Sequence, residues 1–305
     1  MTSYHPYLVE VAWSSTVILV GVAGVLSRHP VLINGAFVAV VGGAFVVYSS
    51  LIGISPFNLL THFYQVLLEP RYIDHSRRSL LLLFWVLNLT ATLLFVIFVS
   101  HSGRSSSVHR KFFHLTLSLV FISGLLIDGP LLALSAALLL SIFTILELFR
   151  YHSVPPWGEP LNRYLEVFRD HQDGDLLLTP LFLLAGVFLP LVFHSPPPPS
   201  VAPPIQLFAG VISVGVGDSM AALVGSTLGR NRWPRRSKTV EGSVGMFLSM
   251  IFGLFLIRPY TASPYLSLLP ITVVSFVLAA LEAFLANVDN IVLPLVGYSL
   301  LTWVA

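Results

Sequence analysis

Long apolar runs separated by short polar breaks dominate the chain. Ten stretches read as spans: Val9 to Leu26, Val31 to Gly53, Leu80 to Val99, Phe112 to Ile127, Pro130 to Phe149, Leu176 to Phe193, Ile205 to Leu228, Val244 to Ile257, Tyr265 to Ala286 and Ile291 to Val304. Apolar runs of about 18 to 22 residues match what a helix needs to cross a ~30 Å hydrocarbon layer at ~1.5 Å per residue. Val244 to Ile257 is short, so it is expected to extend into its flanks or to be a half-helix. The FNLLTHFYQVLL run inside Phe57 to Arg78 reads as an interfacial or re-entrant helix. The pattern predicts an all-α, polytopic helical membrane protein, with residues 1–305 forming a single integral membrane domain.

Composition strengthens that class. At 55% hydrophobic, 10% charged and a mean hydropathy of +0.86, the chain is far from a soluble globular domain. Its net charge of +2 comes from few charges, and no basic tract is long enough to make nucleic acid an expected partner. No cysteine is present, which excludes disulfides, thiolate nucleophiles and Cys-ligated zinc. The start, MTSYHPYLVEVAW, shows no basic leader or cleavage site, so the first run is expected to be a retained anchor.

Where the few charges fall says more than their balance. With ten spans, alternate loops lie on opposite sides. One side carries twelve basic residues: Arg28, Arg104, Arg110, Lys111, Arg150, Arg163, Arg169, Arg230, Arg232, Arg235, Arg236 and Lys238. The other carries four: Arg71, Arg77, Arg78 and Arg258. The positive-inside rule makes the first side cytosolic and puts both termini and the proline segment Pro196 to Pro204 opposite. Arg71, Arg77 and Arg78 are the misfit, and an interfacial helix before them would alter the early count.

The richest chemistry lies in VGVGDSMAALVGSTLGRNRWPRRSKTVEGS, Val214 to Ser243. Asp218, Ala221, Gly225 and Gly229 are three, four and four residues apart, so on a continuing helix they share a face that is nearly bare backbone with a carboxylate at its start. Packing of the GxxxG type also accounts for the glycines. Asp218 is harder to place structurally, because a carboxylate in a span costs roughly 2.5 to 3.5 kcal/mol at the bilayer centre. The next loop holds five cations within nine positions, Arg230 to Lys238. They suit a nucleotide triphosphate or, equally, anionic headgroups. Lys238, Thr239, Glu241 and Gly242 precede an apolar run, where a helix N-terminus would offer free N–H groups to a phosphate. A Walker A loop is absent.

The pattern D-x-x-A-x-x-x-G-x-x-x-G from Asp218 to Gly229, followed after eight residues by K-T-x-E-G from Lys238 to Gly242, resembles the nucleotide-binding signature of dolichol kinases and related CTP-dependent lipid kinases. Membrane cytidylyltransferases carry a looser version. RKFFHLTLSLVF, from Arg110, looks like the family's R-K-x-x-H helix start, and LEAFLANVDNIVLPL resembles its E-to-D-N closing element. The likeness covers residues 110–295, expected to be the catalytic membrane region, while 1–100 carry no such motif. It implies transfer of the γ-phosphoryl of CTP to dolichol at the endoplasmic reticulum, with a divalent cation, Mg²⁺ first, and a cytosolic active site. Diacylglycerol or phytol kinase and cytidylyltransferase activities remain alternatives.

The residues expected to carry this chemistry follow from the matched motifs. Asp218 and Asp289 are the expected metal ligands, Asp289 alternatively capping the last span or accepting the lipid hydroxyl proton. Lys111 and Lys238, the chain's only lysines, fall in matched motifs and are expected at phosphate with Thr239, Arg232, Gly225, Gly229 and Gly242. Glu241 is expected to position Lys238 or a metal-bound water. Glu282, seven residues before Asp289, would stand two turns or ~10.5 Å deeper on a continuous helix, as much structural as catalytic. His114 is expected to pack behind the site and Asp173 to join it. Glu147 is expected to pair with Arg150, and Asp128 to cap the helix after it. An ion transporter using Asp218, Glu282 and Asp289 would need an inverted repeat, which the sequence does not show.

Overall fold

In the computed structural model, which describes residues 6–68, 75–102, 107–166, 169, 173–285 and 288–305, every one of the ten apolar runs becomes a helix. The order is α1 (Pro6–Val25), α2 (Pro30–Ile52), short α3 (Leu59–Leu68), α4 (His75–Ser102), α5 (Ser107–Ile127), α6 (Gly129–Tyr151), short α7 (Gly158–Leu165) and α8 (Leu178–Phe193). A composite span then runs from Ile205 through a π-helical stretch (Val211–Asp218) into α9 (Ser219–Leu228). It is followed by α10 (Val240–Ile257), α11 (Leu268–Phe284) and α12 (Asp289–Val304). Among the described residues six helices are long and apolar enough to cross a membrane, and four apolar helices are shorter. Among the described residues the only β pairing is an isolated bridge between Arg232 and Thr239. The protein is an all-α polytopic membrane protein, as the apolar pattern predicted.

The short eighth run gains its length locally. Thr239 takes extended backbone and its hydroxyl accepts from the Gly242 N–H at 3.1 Å, so α10 starts four residues before Val244. Asp128 likewise caps α6, its carboxylate accepting from the Leu131 N–H at 3.1 Å with Pro130 in the first turn, as expected. Gly53 ends α2 at φ 69°, a left-handed conformation that glycine adopts without a Cβ penalty.

Burial separates a central helix from peripheral ones. In Ile205–Leu228, 56% of the apolar window is buried inside the protein, against 17% for α1 and 11% each for α2 and α4. Around that central span, Phe121, Val187, Phe188, Met246, Met250, Leu278 and Leu293 form one continuous core drawn from α5, α8, α10, α11 and α12. The outer helices instead turn Val17, Val38, Leu87 and Phe98 outward, which a hydrocarbon solvent favours. Small residues let the inner helices touch: a Cβ on Gly186 of α8 would stand 1.7 Å from the Asn290 carbonyl oxygen of α12.

The run expected to be interfacial or re-entrant forms α3, whose ten residues span only ~15 Å, too little to cross. Among the described residues three long helices, α1, α2 and α4, therefore precede α5. Arg71 and Arg104 lie outside the described residues. At one end of the bundle α6, α9 and α11 finish and α5, α10 and α12 begin. At the other end Arg78, 1% exposed, donates through Nε to Asp128 Oδ2 at 2.8 Å, with Asp128 fully buried. This pair is where an arginine that misfits the charge bias finds its partner, and it ties α4 to the α5–α6 turn.

Removing one member of such a pair leaves the other charged group buried alone. Arg78→Met is expected to lower stability by about 3–5 kcal/mol, read as the unfolding midpoint of the detergent-solubilised protein. A midpoint equal to the wild type would show that the pair is not holding α4.

Candidate active site

Asp218 closes the π-helical stretch, and the wider turn there re-aims side chains relative to an unbroken α-helix. The stretch lies hard against α5: a Cβ on Gly215 would stand 2.0 Å from Ser118 Oγ. This contact brings Asp218 to the first turns of α5, where Lys111 forms an ion pair with it and His114 Nε2 lies 3.5 Å from Asp218 Oδ2. His114, expected behind the site, therefore borders its carboxylate.

Lys238 arrives from a different direction. The chain between α9 and α10 folds into a hairpin, closed by Trp233 N–H to the Lys238 carbonyl at 3.0 Å and Val240 N–H to the Asn231 carbonyl at 2.8 Å. From its return arm Lys238 Nζ reaches Glu282 Oε1 at 2.7 Å, the Glu282 carbonyl at 2.8 Å and Asp289 Oδ2 at 3.4 Å. Burial alone would lower the pKa of this ammonium, but the carboxylates of Glu282, Asp289 and Asp218 together hold it above the ordinary lysine value. Lys238 is thus cationic throughout the neutral range.

Asp218, Glu282 and Asp289 each offer a carboxylate oxygen within 4.8 Å of the others. Three carboxylates and two ammoniums meet at the end of the bundle where α6, α9 and α11 finish and α5, α10 and α12 begin. The donor set fits a hard divalent cation, which takes oxygen ligands and is commonly held by few carboxylates together with phosphate. The adjacent ammoniums fit phosphate oxygens.

Glu282 is the main correction. It stands beside Asp289 rather than two turns deeper, because α11 ends at Phe284 and the chain turns before α12 begins at Asp289. A Glu in an apolar helix seven residues before an Asp was the available signal; the helix break between them was not legible. The residue before Asp289, Val288, sits at φ 57°, which costs a β-branched residue of order 1–3 kcal/mol. Asp289 is the first residue of α12 rather than its cap, and its carboxylate accepts from the Asn290 N–H at 3.0 Å.

Other expected residues have specific places. Glu241 does not touch Lys238: its carboxylate accepts from the Asn231 side chain at 2.9 Å and backbone N–H at 3.1 Å, fixing the base of the hairpin. Thr239 caps α10. Ala221, Gly225 and Gly229 face that cap, and a Cβ on Gly229 would stand 2.2 Å from the Gly225 carbonyl oxygen, one on Gly225 2.9 Å from Thr239 Oγ1, and one on Gly242 2.8 Å from the Ala221 carbonyl oxygen. The glycines thus pack α9 against the start of α10. Arg230, Arg232, Arg235 and Arg236 are exposed, so of the five loop cations only Lys238 turns into the cluster. Asp173 is elsewhere, accepting from the Leu178 and Thr179 N–H groups at the start of α8. Glu147 pairs with Arg150 at 2.6 Å as expected and also accepts from the Leu177 N–H.

Fold and site together define a helical membrane protein with a carboxylate and lysine centre, suited to a cation and phosphate, at one end of its bundle. The family model described as Dolichol kinase matches residues 13–179, more than half of the chain. The chain belongs to the dolichol kinase family. It is 34% identical to human dolichol kinase over 72% of this chain and 44% of that protein. It is 35% identical to the Arabidopsis thaliana dolichol kinase EVAN over 75% of this chain and 41% of that protein, and 28% identical to Saccharomyces cerevisiae dolichol kinase over 65% and 37%. The chain spans less than half the length of these curated relatives. No solved structure matches it. The family match begins at residue 13, so the helices in which the sequence offered no motif belong to the matched region.

The two kinds of glycine separate by substitution. Gly229→Ala is expected to cost about 1–3 kcal/mol through overpacking. Gly35→Ala, in the second turn of α2 with nothing within 4 Å, should be neutral or stabilise by up to about 1 kcal/mol. Thermal unfolding of both variants checks the contrast.

Proposed function

We propose that the protein transfers the γ-phosphoryl group of CTP to the terminal hydroxyl of dolichol, giving dolichyl phosphate and CDP. The observation that carries this reading is the meeting of three carboxylates with both lysines of the chain in a member of this family. Phosphoryl transfer asks chiefly for positioning and for neutralisation of charge on phosphate oxygens. Lys111 and Lys238 supply that charge. A Mg²⁺ held by Asp218, Glu282 and Asp289 would further neutralise the triphosphate when bound.

In the step itself the lipid oxygen bonds to the γ-phosphorus as the bond from that phosphorus to the β–γ bridging oxygen breaks. CDP leaves with the electron pair. The hydroxyl proton passes to Asp289, whose side chain at 22% exposure is the most accessible of the three carboxylates. Because dolichol is membrane-bound and CTP is soluble, a centre at the membrane boundary lets both reach it. The bias of twelve basic residues against four on the end that carries the centre supports a cytosolic orientation, with the endoplasmic reticulum as the membrane. Cytidine and dolichol themselves rest on the family likeness.

The test is purified protein in lipid nanodiscs with dolichol, diacylglycerol or phytol and γ-labelled CTP or ATP. Label is expected in dolichol from CTP with CDP released, and Asp218→Asn or Lys238→Met should each lower the rate by about a hundredfold or more. Release of pyrophosphate would point to cytidylyl transfer, and full activity in both variants would remove the centre from the chemistry. Independently of turnover, Mn²⁺ binding followed by electron paramagnetic resonance should weaken at least about tenfold in Glu282→Gln. Unchanged affinity would take Glu282 out of the ligand set.

A further inference from the structure

Between α9 and α10, residues 230–232 and 234–237 are exposed and Trp233 is not. A tryptophan at a membrane boundary ordinarily presents its ring to the headgroups. This one is turned inward. Its indole Nε1–H donates to Ser243 Oγ on α10 at 3.0 Å, and its ring lies 5.5 Å from the Phe284 ring on α11, tilted by 52°. Its backbone N–H is the one that closes the hairpin onto the Lys238 carbonyl. Phe284 follows by two residues the glutamate that receives Lys238 through both its carboxylate and its carbonyl.

One side chain therefore fastens the hairpin both to α10 and to α11, the helix that carries Glu282. The contact of Asn231 with Glu241 secures the hairpin's base to α10 alone. A lysine is a point charge on a flexible four-carbon stem, so where its ammonium sits depends on how firmly its backbone is held. We propose that Trp233 is the positioning residue for Lys238, docking the hairpin on Phe284 and Ser243 so that the ammonium meets Glu282 and Asp289. The kinetic consequence rests on the kinase reading above; the positioning does not.

The chain has only two lysines, so acylation by an amine-directed reagent, read by mass spectrometry on the full chain in nanodiscs, reports Lys238 with Lys111 as internal reference. Trp233→Ala is expected to raise the Lys238 to Lys111 labelling ratio several-fold. Trp233→Phe keeps a ring on Phe284 and loses the N–H bond, and it should fall between; Ser243→Ala should match it. With nucleotide and lipid, kcat/KM should drop by about a hundredfold in Trp233→Ala and recover largely in Trp233→Phe. A wild-type ratio in Trp233→Ala, or a rise shared equally by both lysines, overturns the proposal. Should Trp233→Ala not fold, wild-type ratios in both Trp233→Phe and Ser243→Ala overturn it instead. If no lipid is phosphorylated by the wild type while the labelling pattern holds, the kinase reading falls and the positioning stands.

Discussion

Charge compensation at the end of the bundle governs how this molecule is put together. Asp218, Glu282 and Asp289 present oxygens within 4.8 Å of one another, an arrangement that repels itself unless cations are built in beside it. Lys111 answers Asp218 from α5, and Lys238 answers Glu282 and Asp289 from the α9–α10 hairpin. Because the partners come from separate helices, each ion pair is also a tertiary contact. The helices must therefore meet in one register for any of the charges to be satisfied. Breaking one pair leaves a residual charge at the membrane boundary, where the cost exceeds that of an exposed surface pair.

The apolar core makes that register possible. The central span is the most buried of those long enough to cross, and glycines at Gly186, Gly215, Gly225 and Gly242 allow backbones to approach where any larger side chain would collide. Close approach of helices in a lipid solvent depends on such packing, since hydrocarbon gives little hydrophobic drive between them. The π-helical stretch before Asp218 belongs to the same economy of space: its wide turn is wedged against Ser118 of α5, and the carboxylate lands beside Lys111. At the opposite end Arg78 and Asp128 hold the outer helix α4 to this core.

The glycine face of α9 shows how packing and chemistry share residues. Its spacing suited a surface open to a phosphate as well as one closed by a neighbouring helix, and Thr239 and Gly242 occupy it. Close packing at Gly225 and Gly229 fixes the start of α10, and the start of α10 fixes the hairpin from which Lys238 extends. Glycines that touch no carboxylate thereby help determine where the ammonium stands.

Runs of apolar residues determined by themselves that the chain is helical and membrane-spanning, because a helix must satisfy its backbone internally in hydrocarbon and needs a fixed length to do so. The same was true of local contacts: Asp128 capping α6 and Glu147 meeting Arg150 depend only on neighbours within a turn. Asp218, Lys238, Asp289 and Lys111 do converge, and in the sequence Asp218 stood out as a carboxylate in an apolar run and the other three through the motifs they fall in. Glu282 did not, since its distance from Asp289 depends on a helix ending at Phe284 and on the turn that follows. Nor did the partner of Arg78, fifty residues away in sequence, or the inward turn of Trp233. Those were decided only in the tertiary structure, because which side chains meet across helices depends on crossing geometry and backbone approach, and neither has a period along the chain.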